Sequence, residues 1–592
     1  MARPAKSKDA ASQPKAANGV VPRKRAAAAG TVSKAAPAKK PAPRGRARKA
    51  ADLEPPQDEG TSDASEQEMQ VDVKDASDPT EPERPSKKAK VDQHPPTKSE
   101  PKKYVAPVPK ARNIKVIRER STARLDVYVF GKGDMCELGL GPNAKARTVT
   151  RPRLNPFLLM DPVGVVEVAV GGMHTAVLTH DGRILTWGVN DQNALGRSTT
   201  WEAPEVDIDK AGGDAGDDDD SEDDAEINPL ESAPGPVEGL PAAVNIVGIA
   251  CSDSLTLAIT DTGFVYAWGT FRVTFPIHSI FYPSNMMLTG TPVQCSDGIL
   301  GFSEDQRIAT HPFLLPNLKN IIEISAGVDH ILALSSTGTV FAWGNGQQYQ
   351  LGRRVIERTR MNGLVPREFG LKKIVAIGAG SYHSFAVDVN GRVWAWGLNQ
   401  YGQCGIDLEG KTGEDGVAVP KPTIVKSLSK YKIVQITGGE HHSAAVTDDG
   451  KLLTWGRLDA NQLGIKPEDF SSEFTVYDEH GKPRFITEPT VVPGLPPIVK
   501  VACGTHHNIA LDQNGKAYSW GFGENFQVGQ GPAGEDILTP TLIDNTAVRN
   551  EILTFAGCGG QFSVLAGHPA VSKQQAESIV LNGKDGQANG TK

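Results

Sequence analysis

One unit recurs along this chain, and its recurrence restricts the fold more than any other feature. The clearest copy is Ile374 to Gly397: an apolar run, Gly378-Ala379-Gly380, then Ser381-Tyr382-His383-Ser384, an apolar strand, Asn390-Gly391, and Val393-Trp394-Ala395-Trp396-Gly397. Other copies centre on Gly172-Met173-His174 with Trp187-Gly188, Gly327-Val328-Asp329-His330 with Trp343-Gly344, Gly439-Glu440-His441-His442 with Trp455-Gly456, and Gly504-Thr505-His506-His507 with Trp520-Gly521. A weaker copy runs from Ala250-Cys251-Ser252 to Trp268-Gly269. Each copy is two runs of period-two alternation joined by Asp-Gly, Asn-Gly or Thr-Gly, the pattern of a β-hairpin with a tight turn. Where no insertion intervenes, the tryptophans lie about fifty to sixty-five residues apart, room for four strands, which is the size of a propeller blade.

The chain opens with the second half of a unit, Val127-Tyr128-Val129-Phe130-Gly131, and ends with a first half, Ala556 to Ala566. Together they make one blade, so the ring closes without an open sheet edge. The expected fold is therefore all-β: a seven-bladed β-propeller over 116–570 with a split closing blade, preceded by a disordered tail over 1–115 and followed by another over 571–592.

Two insertions interrupt the period. Residues 201–231 carry Asp217-Asp218-Asp219-Asp220 in an acidic, Gly-containing run that reads as a solvated loop or as a contact for basic histone tails. Residues 273–294 are uncharged and largely apolar, which is unusual for an exposed loop. They interrupt a sequence that otherwise runs from Trp268-Gly269-Thr270-Phe271-Arg272 into Cys295-Ser296-Asp297-Gly298. They read as a retained intron, with the Val273 codon as donor and the Gln294 codon as acceptor; a genuine loop is the alternative.

The net charge of -7 is built from blocks of opposite sign. Residues 1–50 are strongly basic, 51–83 acidic, and Lys87, Lys88 and Lys90 basic again, with almost nothing to build a core. Pro22-Arg23-Lys24-Arg25 and the Lys87, Lys88, Lys90 cluster read as import signals, and Arg44, Arg46, Arg48 and Lys49 as phosphate contacts to DNA; simple solubility is the plainer reading. There is no apolar leader and no long uninterrupted apolar run, so a soluble, unsecreted protein is expected. The six cysteines lack zinc-ligand spacing and read as packing residues in a reducing compartment.

The repeat, with Gly-x-x-His-Ser/Thr and Trp-Gly as its marks, resembles the regulator of chromosome condensation family. Four local matches, Gly131-Lys132-Gly133-Asp134, Trp268-Gly269-Thr270-Phe271-Arg272, Asp329 beside His330, and Gly439-Glu440-His441-His442, resemble its branch that promotes nucleotide exchange on the small GTPase Ran. The resemblance implies a β-wedge carrying Phe271, Arg272, Ser296, Asp297 and Gly298, with Asp329 as the acid most important for exchange. It places Asp134, Asp253, Arg353 and His441 on the same GTPase-binding face, and Phe562 where a face histidine is expected. It also implies a nucleosome-binding loop with Arg354, Arg358 and Arg360, contacting histones H2A/H2B and DNA. The implied partners are Ran, the nucleosome and an importin-type receptor, and the implied location is nuclear chromatin.

No cofactor, metal site or membrane partner is expected. The repeated histidines His174, His330, His383, His442 and His507 read as buried groups tying blades together, and the repeated tryptophans as blade core. No phosphate loop, nucleophile elbow or metal spacing suggests covalent chemistry. Two rival readings remain: a non-catalytic chromatin scaffold on the same propeller, and an exchange factor for another small GTPase. For residues 273–294, sequencing of the complementary DNA is expected to find the codons missing; a transcript that retains them ends the intron reading.

Overall fold

The alternating runs pair as the pattern demands. In the clearest repeat, Ile374–Ala379, His383–Asp388, Val393–Leu398 and Ala418–Ile424 lie side by side as one antiparallel sheet, in chain order from the axis outward. The computed structural model describes residues 104–109, 115–145, 147–202, 227–272, 299–408 and 417–570. Seven such sheets surround a channel of about 480 Å³, walled by the first strand of every blade. Blades 1 to 6 span 165–236, 246–314, 321–368, 374–424, 433–491 and 498–542, and blade 5 carries a fifth strand, Thr475–Tyr477. Blade 7 is the split one: Asp126–Gly131 lies between Val149–Leu154 and Phe562–Pro569, and its register runs unbroken from Asp126 opposite Gly567 to Gly131 opposite Phe562.

Two glycines of the repeat have steric causes. The Trp-Gly glycine sits at φ between 102° and 117° in six blades and at 110° at Gly131 of the closing blade, a region that penalises any Cβ. The glycine three residues before each repeat histidine lies against that ring; a Cβ on Gly504 would come within 2.5 Å of His507.

The histidines join each blade to the next. His383 Nε2 meets Ser443 Oγ at 2.7 Å, Ser443 donates to the Gln403 carbonyl at 2.8 Å, and Trp455 Nε1 donates to the same carbonyl at 2.9 Å. His174 with Thr256, His330 with Ser384, His442 with Asn508 and His507 with Ser563 repeat the contact at 2.7–2.8 Å. Two junctions differ. Leu255 faces the place of Ile331, both buried in one apolar cluster. Phe562, buried at 0% exposure, stands at the repeat-histidine position opposite Gly131 and leaves the buried Thr175 hydroxyl without a hydrogen-bond partner. Phe562 is thus a core residue, and the expectation that its position belongs to the face is corrected.

Residues 104–109 and 115–124, before the first strand, are held against the propeller, although the first of these stretches lies in the expected tail. Ala106 is buried and donates to the Gly239 carbonyl at 2.7 Å, while Tyr266 donates to the Pro107 carbonyl at 2.8 Å. Residues 115–124 then cross the ends of blades 1 to 3 that carry the Asp-Gly and Thr-Gly turns, the far face. Ile117 donates to the Asp261 carbonyl at 2.8 Å, and Arg118 donates to the Ile322 carbonyl at 3.1 Å and Glu167 at 3.3 Å. Such contacts depend on single residues and carry no period. The acidic insertion is likewise anchored at its end: Pro229–Ser232 is a short helix capped by Asn228, and Thr199 donates to Glu231 at 2.7 Å. Residues 203–226 and 273–298 lie outside the described residues, as do both expected tails beyond 104 and 570.

Burial holds the repeat histidines neutral: it depresses His174 and His442 to about 4 and His330 and His507 to about 3. Their folded values lie below the unfolded value of about 6.5, so their stabilisation is complete above that pH and is lost as pH falls towards 3–4. Stability measured by denaturant should therefore drop steeply between pH 6.5 and 4. His383→Gln, which keeps a donor for Ser443, should make that limb shallower by up to about 1.4 kcal/mol per pH unit; an unchanged slope would remove His383 from the titrating set.

Candidate exchange face

The turns preceding each second strand and the loops following each Trp-Gly emerge at one end of the propeller, the near face. Six positions singled out from sequence lie there: Asp134 in blade 7, Asp253, Phe271 and Arg272 in blade 2, Asp329 in blade 3 and His441 in blade 5.

Their centre is a two-stranded ribbon, Phe271–Arg272 paired with Ile299–Gly301, that leaves blade 2 directly after its third strand. Phe271 is 1% exposed and roots the ribbon in the core. Arg272 joins three blades: its backbone N–H donates to Asp329 Oδ1 at 3.1 Å, and its guanidinium lies 3.8 Å from Asp253 and 4.0 Å from Asp191. Asn345 Nδ2 lies 3.5 Å from its carbonyl. Burial pushes the Asp253 carboxyl above its usual range, and Arg272 opposes that shift. Asp329 itself is only 1% exposed. The acid expected to face the GTPase is covered, and its visible task is to hold the ribbon root. Ser296, Asp297 and Gly298 lie outside the described residues.

A second group lies on blades 4 to 6. Glu440 Oε2 sits 3.7 Å from His441 Nδ1 and 3.4 Å from His506 Nε2. The His441 ring packs edge-on against Tyr401 with centroids 4.9 Å apart, and the Arg457 guanidinium lies 5.1 Å from the Tyr401 centroid. Arg457 in turn donates through two of its nitrogens to one oxygen of Asp459, Oδ2, at 2.7 and 3.0 Å. Burial opposes charge on Glu440, yet His441, His506 and Arg457 hold its carboxyl below the usual value. Asp134 is nearer the opposite rim, paired with Lys132 at 3.0 Å. Sequence reasoning quoted Glu440 only as part of a motif, without a role, and missed Asp191, Asn345, Tyr401 and Arg457. Most occupy loop positions whose identity changes from blade to blade, so the repeat gives no signal for them.

Arg353 does not join either group. Its guanidinium donates to the Ala342 carbonyl at 2.8 Å and the Val365 carbonyl at 3.4 Å, and Arg197 does the same in blade 1, donating to Thr186 at 2.9 Å. Both blades have outer strands of only two residues, Arg367–Glu368 and Gly235–Pro236, and the arginine serves carbonyls that a longer strand would occupy. This corrects its expected place among the contact residues. Arg354, Arg358 and Arg360 are exposed in the following loop. That loop continues as the three-ten segment Glu357–Leu364, whose Leu364 and Met361 pack with Phe271, Leu300 and Phe302, so the arginine loop and the ribbon share one base. Arg23, Lys24, Arg25, Arg44, Arg46, Arg48, Lys49, Lys87, Lys88 and Lys90 lie outside the described residues. Among the described residues there is no His, Cys, Asp and Glu cluster able to hold a metal, and no helix long and apolar enough to cross a membrane.

Residues 126–565 match the RCC1-like domain. The chain belongs to that family. Within it, this RCC1-like chain is 43% identical over 465 residues to the guanine nucleotide exchange factor SRM1 of Saccharomyces cerevisiae, covering 77% of this chain and 90% of the relative. It is similar to the crystal structure of Prp20p from Saccharomyces cerevisiae, described with its binding properties to Gsp1p and histones, at TM-score 0.65 and 40% identity over 79% of this chain and 96% of that one. It is also similar to yeast RCC1 (Prp20) bound to Kap60, at TM-score 0.66 and 38% identity over 83% and 98% of the two chains.

The ribbon root of this RCC1-like propeller is open to a direct test. Asp329→Ala removes the acceptor of the Arg272 amide and should speed amide hydrogen exchange at Arg272 and Ile299–Gly301 at least tenfold. The expected loss of global stability is about 1–3 kcal/mol. Unchanged exchange at the ribbon would show that Asp329 does not hold it.

Proposed function

We propose that this chain promotes guanine-nucleotide exchange on the small GTPase Ran through its near face, as a chromatin-bound regulator in the nucleus. The observation that carries this reading is the Arg272 junction. One residue at the root of a projecting ribbon is held by groups from blades 1, 2 and 3, so a short wedge is fixed in direction beside a face bearing Asp134, Asp253 and the Glu440–His441 group. The kinship with SRM1, named an exchange factor, and with Prp20p, described with its binding to Gsp1p and histones, supports the same reading.

Exchange needs no covalent step. Accelerating nucleotide release about 10⁵-fold asks for roughly 7 kcal/mol of barrier. A propeller that binds the nucleotide-free GTPase more tightly than the loaded one supplies it as a coupling free energy. In this scheme Phe271 and Arg272 carry the wedge, Asp329 is its positioning residue, and Asp253 and His441 contact the GTPase. Arg354, Arg358 and Arg360 suit an acidic histone surface, because the guanidinium fork matches carboxylates. The basic clusters at 23–25 and 87–90 suit an importin-type receptor, in keeping with the Kap60 complex of the yeast relative.

Release of fluorescent GDP from purified Ran tests the reading. The intact chain should accelerate release by orders of magnitude. Asp329→Ala should lower the maximal rate at least tenfold, His441→Ala should chiefly weaken apparent affinity for Ran, and Arg353→Lys should leave exchange intact while lowering thermal stability. A chain lacking 273–294 should exchange at least as fast. No acceleration by either the intact or the shortened chain would end the proposal and favour a scaffold; acceleration of another GTPase instead of Ran would reassign the partner.

A further inference from the structure

Every blade begins with a β-bulge, and the bulges form a ring around the far mouth of the channel. The register slips at the second residue of the first strand in blades 1 to 6, at Val166, Val247, Ile322, Val375, Val434 and Val499, and at Thr554 in blade 7. A bulge residue is left out of the ladder and turned away from it. Six of these seven side chains are apolar.

The ring is covered on one side only. Residues 115–124 cross blades 1 to 3, where Arg118 lies over Gly248 and donates to the Ile322 carbonyl at 3.1 Å. Val166 and Val247 are accordingly 5% and 0% exposed. On blades 4 to 6 the same position is bare: Val375 is 55% exposed, Val434 50% and Val499 49%. Three equivalent valines on successive blades form an apolar crescent without a partner among the described residues.

We infer that the carboxy-terminal segment of this chain, 571–592, docks on that crescent through Ile579, Val580 and Leu581. The point of departure is the first argument. Glu551 pairs with Pro569, and Ala570 donates to the Asn550 carbonyl at 2.9 Å, so the last described residue stands on the far face where blade 7 begins. The neighbouring turn of blade 6 lies directly on this site, since a Cβ on Gly515 would come within 2.9 Å of Ile552. Val499 is on the first strand of that same blade. Reach is the second argument: the nine residues from Ala570 to Ile579 extend to about 30 Å, enough to pass blade 6 and arrive at blades 5 and 4. Composition is the third. Residues 571–592 contain one continuous apolar run, Ile579-Val580-Leu581, and outside it only Val571, Ala576 and Ala588 are apolar, while the crescent offers three apolar residues to receive the run. The amino-terminal strap is the precedent within the molecule, because it covers the same bulge position on the other three blades.

Amide hydrogen exchange on the full chain tests the docking. Residues 577–582 should exchange at least tenfold more slowly than an unstructured chain. Ile579→Asp with Val580→Asp should abolish that protection, and so should Val434→Asp with Val499→Asp on the propeller side, with thermal unfolding confirming that both variants remain folded. Free-chain exchange at 577–582 in the unaltered protein would overturn the inference, as would protection that survives Val434→Asp with Val499→Asp. A dimer in sedimentation that dissolves on altering the valines, with 577–582 unprotected, would assign the crescent to a second copy and overturn it equally.

Discussion

Everything on this propeller rests on a shared carbonyl. At four junctions the loop carbonyl of one blade accepts from two side chains of the next, a hydroxyl or amide and an indole, while the histidine of the first blade closes the group from the same side; between blades 6 and 7 the Gln527 carbonyl accepts from Ser563, and Phe130 stands where the indole would be. Adjacent sheets pack through apolar faces, which are tolerant of sliding. A buried three-part hydrogen bond is not, because leaving any member unpaired costs roughly 1–3 kcal/mol. The junction therefore sets the angle and height of every blade relative to its neighbour. Phe562 beside Thr175 shows the arrangement without its histidine: the fold survives on packing, with one buried hydroxyl unsatisfied.

That precision matters at the near face. Asp191, Asp253 and Asp329 come from three blades and converge on the two ends of one arginine, at distances between 3.1 and 4.0 Å. No pair of them is close in sequence, and a small rotation of any blade would separate them. The ribbon is thus positioned by the same contacts that hold the ring together. Blades 4 to 6 use another chemistry for the same purpose, stacking Arg457 on Tyr401 and setting Glu440 between two imidazoles.

The fold was legible because its signals are periodic. Alternation, the turn dipeptides and the Trp-Gly pair recur in six blades, and repetition turns weak local preferences into a strong pattern. The split blade was legible for the same reason, as two half units. The site was legible only in part. Asp253, Arg272, Asp329 and His441 fell on the near face because they occupy known positions in the repeat, but burial of Asp329 and the withdrawal of Arg353 to its own blade depend on what the neighbouring loop contains. Arg353 follows Leu351-Gly352 as Arg197 follows Leu195-Gly196, and that parallel with the other blade of short outer strand was the available clue. The docked residues 104–109 gave no sign at all, since an irregular segment held by Tyr104, Ala106 and Pro107 has no period to read.

The split blade has a consequence for the making of the protein. Asp126–Gly131 leaves the ribosome more than 400 residues before its partner Phe562–Pro569. For most of synthesis the nascent chain is an arc in which Asp126–Gly131 lacks its inner strand partner and the faces of the end blades are uncovered, a state prone to edge-to-edge association. Blades 1 to 6 can each form as they emerge, but the circle does not exist until the final hairpin arrives. Ring, channel and face are completed in a single late event, and a ribosome that stops short of residue 551 releases a chain that has nearly every blade and no closed propeller.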